Sequence, residues 1–154
     1  MSAEKRMKEL GLELPPVPKP VGNYIGGVKT GNLLFMSGCG PRRKDGSAIT
    51  GKVGETLTVE QGYDAARLVG LNMLANIRAT IGSLDKVKRV VKTLGMVNAA
   101  PHFTESPKVI NGFSDLFVEV FGEAAGRGAR SAVGMAMLPS QIAVEVEMVL
   151  EVED

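Results

Sequence analysis

The sequence predicts a single α+β domain built from one sheet with two helices on the same face. The chain has 154 residues, the usual length of one domain, and its apolar patterns follow the order strand, strand, helix, strand, helix, strand, strand. Both helices carry an apolar stripe, and one face of a sheet can cover both. A composition of 44% hydrophobic and 23% charged residues excludes a mainly disordered or fibrous protein.

Residues 1–21 are predicted to form an N-terminal appendage to a domain that spans residues 22–154. Residues 2–10 have the pattern of a short helix, with Ser2 as its N-cap and Gly11 as its stop. A helix this short is marginal in water, so it must pack against the domain or fray. The prolines that follow, at positions 15, 16, 18 and 20, hold the backbone extended.

The domain is predicted to begin with a hairpin and a loop. Two short β-like runs, 24–30 and 33–37, flank Gly31-Asn32, which suits a two-residue turn. Glycines and other turn formers then recur through residues 38–54. This spacing predicts an exposed, mobile loop without regular structure.

A long helix is predicted over residues 59–81. Thr58 and Gln61 have the spacing of a capping box, apolar residues recur every three or four positions, and Gly82 can end the helix. At 1.5 Å per residue its length is about 34 Å, enough to cross a sheet.

The second half of the chain supplies the remaining helix and strands. Residues 87–97 read as a buried strand, and a helix follows with Ser106 as N-cap, Pro107 at its first position and a stop at Gly122. Two strands, 131–138 and 143–152, close the domain around a Pro139-Ser140 turn.

The last predicted strand has one apolar and one acidic face, because its apolar residues alternate with Glu145, Glu147 and Glu151. The acidic face is compatible with a solvent-exposed edge, a subunit contact or a source of one general base. The pattern does not choose among these three.

One face of the predicted sheet has no helix to cover it. Ala132, Gly134 and Ala136 alternate with larger residues, and such a small-residue face suits close approach by another chain. We therefore expect a homo-oligomer in which the sheets pack together.

Charge and hydropathy argue against nucleic acid and membrane partners. The formal net charge is +1, and the basic clusters at 42–44 and 86–92 have no aromatic residues interleaved with them for base stacking. No apolar run approaches the roughly 20 residues of a membrane span, and residues 1–14 lack the apolar core of a secretion signal. A cytoplasmic location is expected.

The sequence offers few residues for a metal site or for a catalytic nucleophile. One cysteine, Cys39, and one histidine, His102, cannot supply the ligands of a structural zinc site or form an internal disulfide. Nothing in the sequence brings these two residues together as a catalytic pair. We therefore predict no metal site.

Arg130 is the most informative cation. Gly126, Gly128 and Ala129 precede it just before a strand, so its guanidinium would be accessible for bidentate capture of a carboxylate. A surface ion pair explains the same spacing and is the more frequent outcome.

Several segments together resemble the reactive intermediate deaminase (Rid, YjgF-like) family over about residues 22–152. The resemblance rests on Gly22-Asn23-Tyr24, Leu33 to Gly38, Val109-Ile110-Asn111, Ala129 to Val133, Leu138-Pro139 and Val144 to Glu147. The stretch from Arg130-Ser131 through Leu138-Pro139 to Glu145 and Glu147 is its most specific part.

The resemblance implies a chorismate-mutase-like fold of the bacillus type, assembled as a homotrimer. In that arrangement the sheets form an inner barrel, the helices lie outside, and three ligand clefts lie between subunits. It implies hydrolysis of reactive enamines and imines, such as 2-aminoacrylate, to 2-keto acids and ammonia, with no cofactor. The substrate would then be a small carboxylate.

The resemblance also assigns roles to individual residues. Arg130 would hold the substrate carboxylate and Glu145 would position or activate the attacking water. The cleft would be lined by Tyr24, Ser37 and Asn111, with Ala132 contacting the substrate through its backbone.

Two other functions stay open. One is non-catalytic binding of a keto acid or similar metabolite in the same clefts. The other is the endoribonuclease (L-PSP) activity with which the family is also labelled, disfavoured by the net charge and the low aromatic content.

Overall fold

The computed structural model describes residues 1–154 and contains one mixed five-stranded sheet. Its strands are β1 (Gly27–Thr30), β2 (Leu33–Cys39), β3 (Val87–Asn98), β4 (Ala129–Met135) and β5 (Val144–Val152). Its helices are α1 (Ala3–Glu9), α2 (Val59–Ile81), α3 (Ser106–Phe121) and α4 (Glu123–Gly126), with 3₁₀ turns at Leu84–Lys86 and Pro139–Gln141. The predicted α+β class and the order of the main elements are confirmed.

The order of strands across the sheet is β1-β2-β5-β3-β4, so β1 and β4 are its two edges. Only β3 and β4 run parallel, and α3 makes the crossover between them. The helices α2 and α3 lie on one face, and they bury the apolar side of β5 as the alternation predicts. The alternate positions Val144, Val146, Met148, Leu150 and Val152 are all at most 3% exposed.

The long helix α2 begins and ends where the sequence predicts. The Thr58 hydroxyl accepts a hydrogen bond from the Gln61 N–H at 3.1 Å, and the Gln61 side chain accepts one from the Thr58 N–H at 2.8 Å. At the other end Gly82 has φ 87°, the left-handed conformation that stops a helix. The capping box and the terminal glycine each involve only residues next to one another in sequence. The sequence alone therefore predicts where α2 begins and ends.

The predicted N-cap of α3 was wrong. Glu105 occupies the N-cap position, and Ser106 is the first residue of the helix. Ser106 is buried, at 6% exposure, and no side-chain hydrogen bond caps the start of this helix. Pro107 supplies the fixed φ that starts the helix instead.

Two predicted strand boundaries were also wrong. β4 spans Ala129–Met135 rather than 131–138, because its partner β3 ends at Asn98, which lies opposite Met135. β1 begins at Gly27 rather than at residue 24. Beyond β4 the chain turns through Ser140 and Gln141, both in the left-handed region with φ of 54° and 57°.

The glycine-rich segment 38–54 is not uniformly exposed. Val53 is fully buried, its N–H donates to the Asn98 carbonyl at 2.8 Å, and its own carbonyl accepts from the Ala100 N–H at 2.9 Å. Further bridges pair Arg42 with Ala48 and Thr50 with Ile142. Backbone hydrogen bonds therefore hold this segment against the end of the sheet.

The small residues of β4 face the helices, contrary to the prediction. Ala132 lies opposite Gly95, and a Cβ atom at Gly95 would fall 2.6 Å from atoms of Ile110 on α3. The small side chains therefore let α3 approach the sheet. Larger apolar residues occupy the uncovered face instead, with Val28, Phe35 and Val133 at 52%, 46% and 38% exposure.

The N-terminal helix α1 packs against the rest of the chain. Ala3 and Met7 join the main hydrophobic core, and the Glu4 side chain accepts a hydrogen bond from the Leu84 N–H at 3.0 Å. The proline-rich stretch then runs from α1 toward β1. Among all helices of the structure, none is long and apolar enough to span a bilayer.

The two long helices touch backbone to backbone where they cross. A Cβ atom at Gly112 of α3 would lie 2.0 Å from the Tyr63 carbonyl oxygen of α2. Arg67 of α2 and Glu119 of α3 also form a bidentate ion pair, with nitrogen to oxygen distances of 3.1 and 2.8 Å. No side chain larger than hydrogen fits at position 112 without moving one helix.

We expect Gly112→Ala to lower the free energy of unfolding by about 1–3 kcal/mol, because overpacking exceeds the roughly 1 kcal/mol that alanine gains in helix propensity. Urea denaturation checks this value. Gly22→Ala is the control, since its Cβ would meet Tyr24 at an ordinary 3.4 Å. Equal stability of the two variants would contradict the backbone contact.

Candidate functional site

Arg130 lies near the start of β4 on the side that faces α3. Its Nη1 donates to the Asn111 Oδ1 at 2.9 Å and to the Ser114 Oγ at 3.2 Å. Its Nε and Nη2 have no hydrogen-bond partner in the chain, and no carboxylate lies within the 4.0 Å limit of an ion pair. The surface ion pair that the spacing also allowed is therefore absent.

The partners of Arg130 hold its side chain rather than neutralise its charge. Asn111 and Ser114 are three residues apart, so both project from the same side of α3. The buried apolar residues of α3 place this side against the sheet edge. Arg130 lines a cavity of about 510 Å³ beside α3, and its guanidinium keeps free donors for an anionic ligand.

Three other predicted site residues lie at a second cavity, of about 230 Å³, where β2 ends and β5 begins. Tyr24, Ser37 and Glu145 all line it. The Ser37 hydroxyl donates to the Ile25 carbonyl at 2.5 Å, and the Ser37 N–H donates to the Gly26 carbonyl at 2.9 Å. These bonds fasten the segment that carries Tyr24 to the end of β2.

Glu145 is the only acidic residue that lines this second cavity. Partial burial, and to a lesser degree the neighbouring Glu147 carboxylate, raise the pKa of the Glu145 carboxyl above the ordinary 4.5. Room for its side chain comes from Gly38, where a Cβ atom would lie 3.0 Å from the Glu145 Oε1. A carboxylate with a raised pKa is a better proton acceptor than an exposed one.

The two cavities share no lining residue within one chain. Arg130 and Asn111 belong to the edge formed by β4, whereas Tyr24 and Ser37 belong to the opposite edge, beside β1 and β2. Ala132 lines neither cavity and packs against the core on the α3 side. His102 is exposed and also lies outside both.

Sequence reasoning missed several residues that shape these cavities. Ser114 as a second partner of Arg130 was detectable from its spacing to Asn111. Arg42, Asn72 and Asn76 line the second cavity, and no motif signals them, since they reach it through the packing of α2 under the loop. Cys39 also lines this cavity, and its Sγ accepts a hydrogen bond from the Asn76 Nδ2 at 3.0 Å.

Comparison with known proteins agrees with this architecture. The family model described as "YjgF/chorismate mutase-like, putative endoribonuclease" matches residues 4–152. Protein TCP17 of Trypanosoma cruzi is 45% identical over 148 residues, which are 96% of this chain and 92% of that protein. A 2-iminobutanoate/2-iminopropanoate deaminase of Dermatophagoides farinae is 28% identical, and the match covers 92% of this chain and 95% of that deaminase.

Two solved structures show the same fold. The protein Atu1372 of Agrobacterium tumefaciens, described as of unknown function, superposes with a TM-score of 0.89 at 41% identity. The superposition covers 99% of this chain and 93% of the Atu1372 chain. RidA of the Antarctic bacterium Psychrobacter sp. PAMC 21119 superposes with a TM-score of 0.63 at 28% identity, over 88% of this chain and 94% of its own.

The fold is therefore the chorismate-mutase-like α+β fold that the resemblance implied. Because the family model spans nearly the whole chain, the protein belongs to the YjgF/chorismate mutase-like family. That family includes proteins named as imine deaminases and others named as endoribonucleases.

Cys39 is expected to react slowly with iodoacetamide in the folded protein. Burial raises the pKa of its thiol to about 11 from 9.0, despite the opposing hydrogen bond from Asn76. At pH 8 a rise of this size leaves about a hundredfold less thiolate than in the unfolded chain. Comparing alkylation rates with and without urea measures the difference.

A control cysteine is available at the exposed Ser47. In a Cys39→Ala background, Ser47→Cys should be alkylated at similar rates in the folded and unfolded states. Equally fast alkylation of Cys39 in both states would contradict its burial.

Proposed function

We propose that this protein hydrolyses reactive enamines or imines of small 2-amino acids to 2-keto acids and ammonia. The observation that carries the proposal is the uncompensated guanidinium of Arg130, oriented by Asn111 and Ser114 with its remaining donors free. A partly buried arginine without a carboxylate partner is suited to bidentate capture of a substrate carboxylate. The deaminase among its relatives supports the same reaction class.

We further propose that the complete site forms between neighbouring subunits of a homotrimer. Arg130 and Glu145 line separate cavities, so one chain does not bring them to one substrate. A head-to-tail contact between the β4 edge of one protomer and the β1-β2 edge of the next would join the two cavities, and contacts of that kind close into rings. The exposed apolar residues of the open sheet face would then be covered inside the ring.

In this arrangement the chemistry needs few groups. Arg130 and Asn111 would fix the substrate carboxylate, and Glu145 would accept a proton from a water molecule that attacks the electrophilic imine carbon. Glu145 would then return this proton to the nitrogen, and the carbinolamine would expel that nitrogen as ammonia while its hydroxyl loses a proton, which leaves a 2-keto acid. Tyr24 and Ser37 would line the other side of the cleft, Ala132 would contribute its backbone, and the reaction as written uses no cofactor or metal.

Arg130→Ala is expected to abolish the hydrolysis of 2-aminoacrylate, because the substrate carboxylate loses the guanidinium proposed to hold it. The rate of keto acid formation from an enamine generated in solution measures this effect. Sedimentation analysis is the control, and it should show the same oligomer for the variant and the wild type. Full activity in this variant would refute the assignment of Arg130.

Glu145→Gln is expected to end hydrolysis while largely keeping keto acid binding, since glutamine has a similar size but cannot accept the proton. In the wild type, lowering the pH protonates Glu145, so activity should fall on the acid side at a pH above the ordinary glutamate pKa of 4.5. Turnover at various pH values and binding by calorimetry measure both effects. A protein that binds the keto acid without any turnover would establish the rival function of a metabolite-binding protein.

Mixed oligomers test the shared site directly. Arg130→Ala and Glu145→Gln chains, refolded together in equal amounts, should regain roughly a quarter of wild-type activity, because that share of head-to-tail contacts pairs one intact Arg130 with one intact Glu145. Each variant alone should stay inactive. No recovery from oligomers shown to be mixed would place both residues on one chain's site.

Ribonuclease action is the second candidate, and the family's own description favours it. It predicts RNA cleavage that co-purifies with the protein and is lost on substitution of a basic cluster, for example at Arg42 and Arg43. Cleavage that disappears on further purification would exclude it.

A further inference from the structure

The second cavity carries an excess of positive charge. Its charged lining residues are Lys19, Arg42 and Glu145, so two cations accompany one carboxylate. No lysine or arginine of the chain lies within ion-pair distance of the Glu145 carboxylate, and neither Lys19 nor Arg42 pairs with any other acidic group. Both positive charges are therefore free to meet an anion.

Arg42 is held in place through its main chain while its side chain stays free. The Asn72 Nδ2 of α2 donates to the Arg42 carbonyl at 2.8 Å, and the Arg42 N–H donates to the Gly40 carbonyl at 3.1 Å. The Asn72 Oδ1 is enclosed and forms no hydrogen bond, so the part that Asn72 plays here is to position Arg42. The exposed Arg42 guanidinium has one long hydrogen bond within the chain, 3.4 Å from its Nη1 to the Gly46 carbonyl.

Lys19 reaches the same cavity from the N-terminal appendage. It lies between Pro18 and Pro20, and a proline restricts both its own φ and the conformation of the residue before it. Pro15, a few residues earlier, is buried and anchors the stretch. The exposed Lys19 ammonium is thus presented to the cavity by a stiff piece of chain.

Acidic residues close in sequence to these cations have other partners. Glu13 pairs with Lys44, and Asp45 accepts hydrogen bonds from the N–H and the hydroxyl of Ser47, at 2.9 and 2.7 Å. Neither carboxylate lines the cavity. An anionic ligand can therefore engage both cations of the cavity without displacing an internal ion pair.

The position of the cations suits the far end of the proposed substrate. Glu145 is partly buried, whereas Lys19 and Arg42 are exposed, so the cations lie toward the opening of the cavity. With the imine carbon at Glu145 and the α-carboxylate on the partner subunit's Arg130, the substrate's side chain remains to occupy this opening. An ammonium and a guanidinium together favour a carboxylate there.

We propose that the second cavity selects imino acids whose side chain ends in a carboxylate, with Lys19 and Arg42 as the specificity-determining residues. The inference rests on the proposed function, since it assumes that Glu145 and Arg130 hold the reacting end. The substrates would be 2-imino dicarboxylates, which carry one more negative charge than aliphatic imino acids. Their hydrolysis by one water leaves a 2-keto dicarboxylate and ammonia.

The test compares the imino acids derived from aspartate and from asparagine, which have the same size and differ in the charge of the side chain. Amino acid oxidases generate each one in solution, and semicarbazide traps whatever the protein has not hydrolysed. For the wild type we expect kcat/KM for the dicarboxylate to exceed that for the amide roughly tenfold, because each exposed ion pair contributes a modest share. Equal values, or a preference for the amide, would overturn the proposal.

Lys19→Gln and Arg42→Gln replace each cation by a neutral polar side chain. In the double variant the two kcat/KM values should come within about twofold of each other, with turnover of the amide substrate retained. Lys8→Gln, on α1 and outside the cavity, is the matched control and should keep the wild-type preference. A double variant that still prefers the dicarboxylate would refute the role of the two cations. Equal loss of both substrates would assign the cations to the common α-carboxylate and would also overturn the proposal.

Salt gives an independent measurement on the unaltered protein. Raising the ionic strength from about 0.05 to about 0.5 M screens exposed charge pairs, so the preference for the dicarboxylate should fall severalfold. The amide substrate lacks the second charge and should lose less activity. A preference that does not respond to salt would contradict its ionic origin.

These outcomes also separate the two hypotheses. Absence of turnover with every imino acid, including the one derived from alanine, refutes the proposed function. Turnover without a preference for the charged side chain refutes only the selection by Lys19 and Arg42.

Discussion

The close crossing of α2 and α3 determines where the candidate site can be. At Gly112 the two backbones come within a distance that leaves no room for a side chain, so the position of α3 along α2 is fixed by contact between main chains. Asn111 is the neighbour of that glycine, and Ser114 lies two residues further on. The hydrogen bonds that orient Arg130 therefore depend on a packing contact between helices.

The two charged groups of the candidate site lie apart within one chain. Arg130 is held at the β4 edge by neutral oxygen acceptors, and Glu145 lies toward the other edge, where burial raises its pKa. Neither group is compensated by an ion pair within the chain. A ligand or a neighbouring chain can complete such groups, and this is the physical basis of the proposed site between subunits.

The sequence predicts those features that depend on nearby residues. The ends of α2 follow from Thr58, Gln61 and Gly82, and the buried face of β5 follows from its alternation. The extent of β4 was missed because it is set by the end of β3, a partner more than thirty residues earlier. The direction of its small residues was missed because it depends on how α3 approaches the sheet.

The candidate site likewise contains residues that the sequence predicts and residues that only the folded structure reveals. Tyr24, Ser37, Asn111, Arg130 and Glu145 could be named from motifs, because the resemblance carries each residue together with its neighbours in sequence. Asn72 could not be named, since a buried asparagine on an apolar helix face looks like any other until its partners are known. Its unpaired oxygen is a property of the folded chain alone.

The proline-rich segment adds a consequence for how relatives diverge. The Atu1372 structure covers 99% of this chain, including that segment, whereas the RidA structure covers 88%. The groups suited to chemistry lie on strands and on α3, but part of the wall beside them comes from a stretch outside the sheet. Insertions or replacements in that stretch can reshape which molecules enter without disturbing the hydrogen-bonded framework, so selectivity can evolve while the reactive groups stay in place.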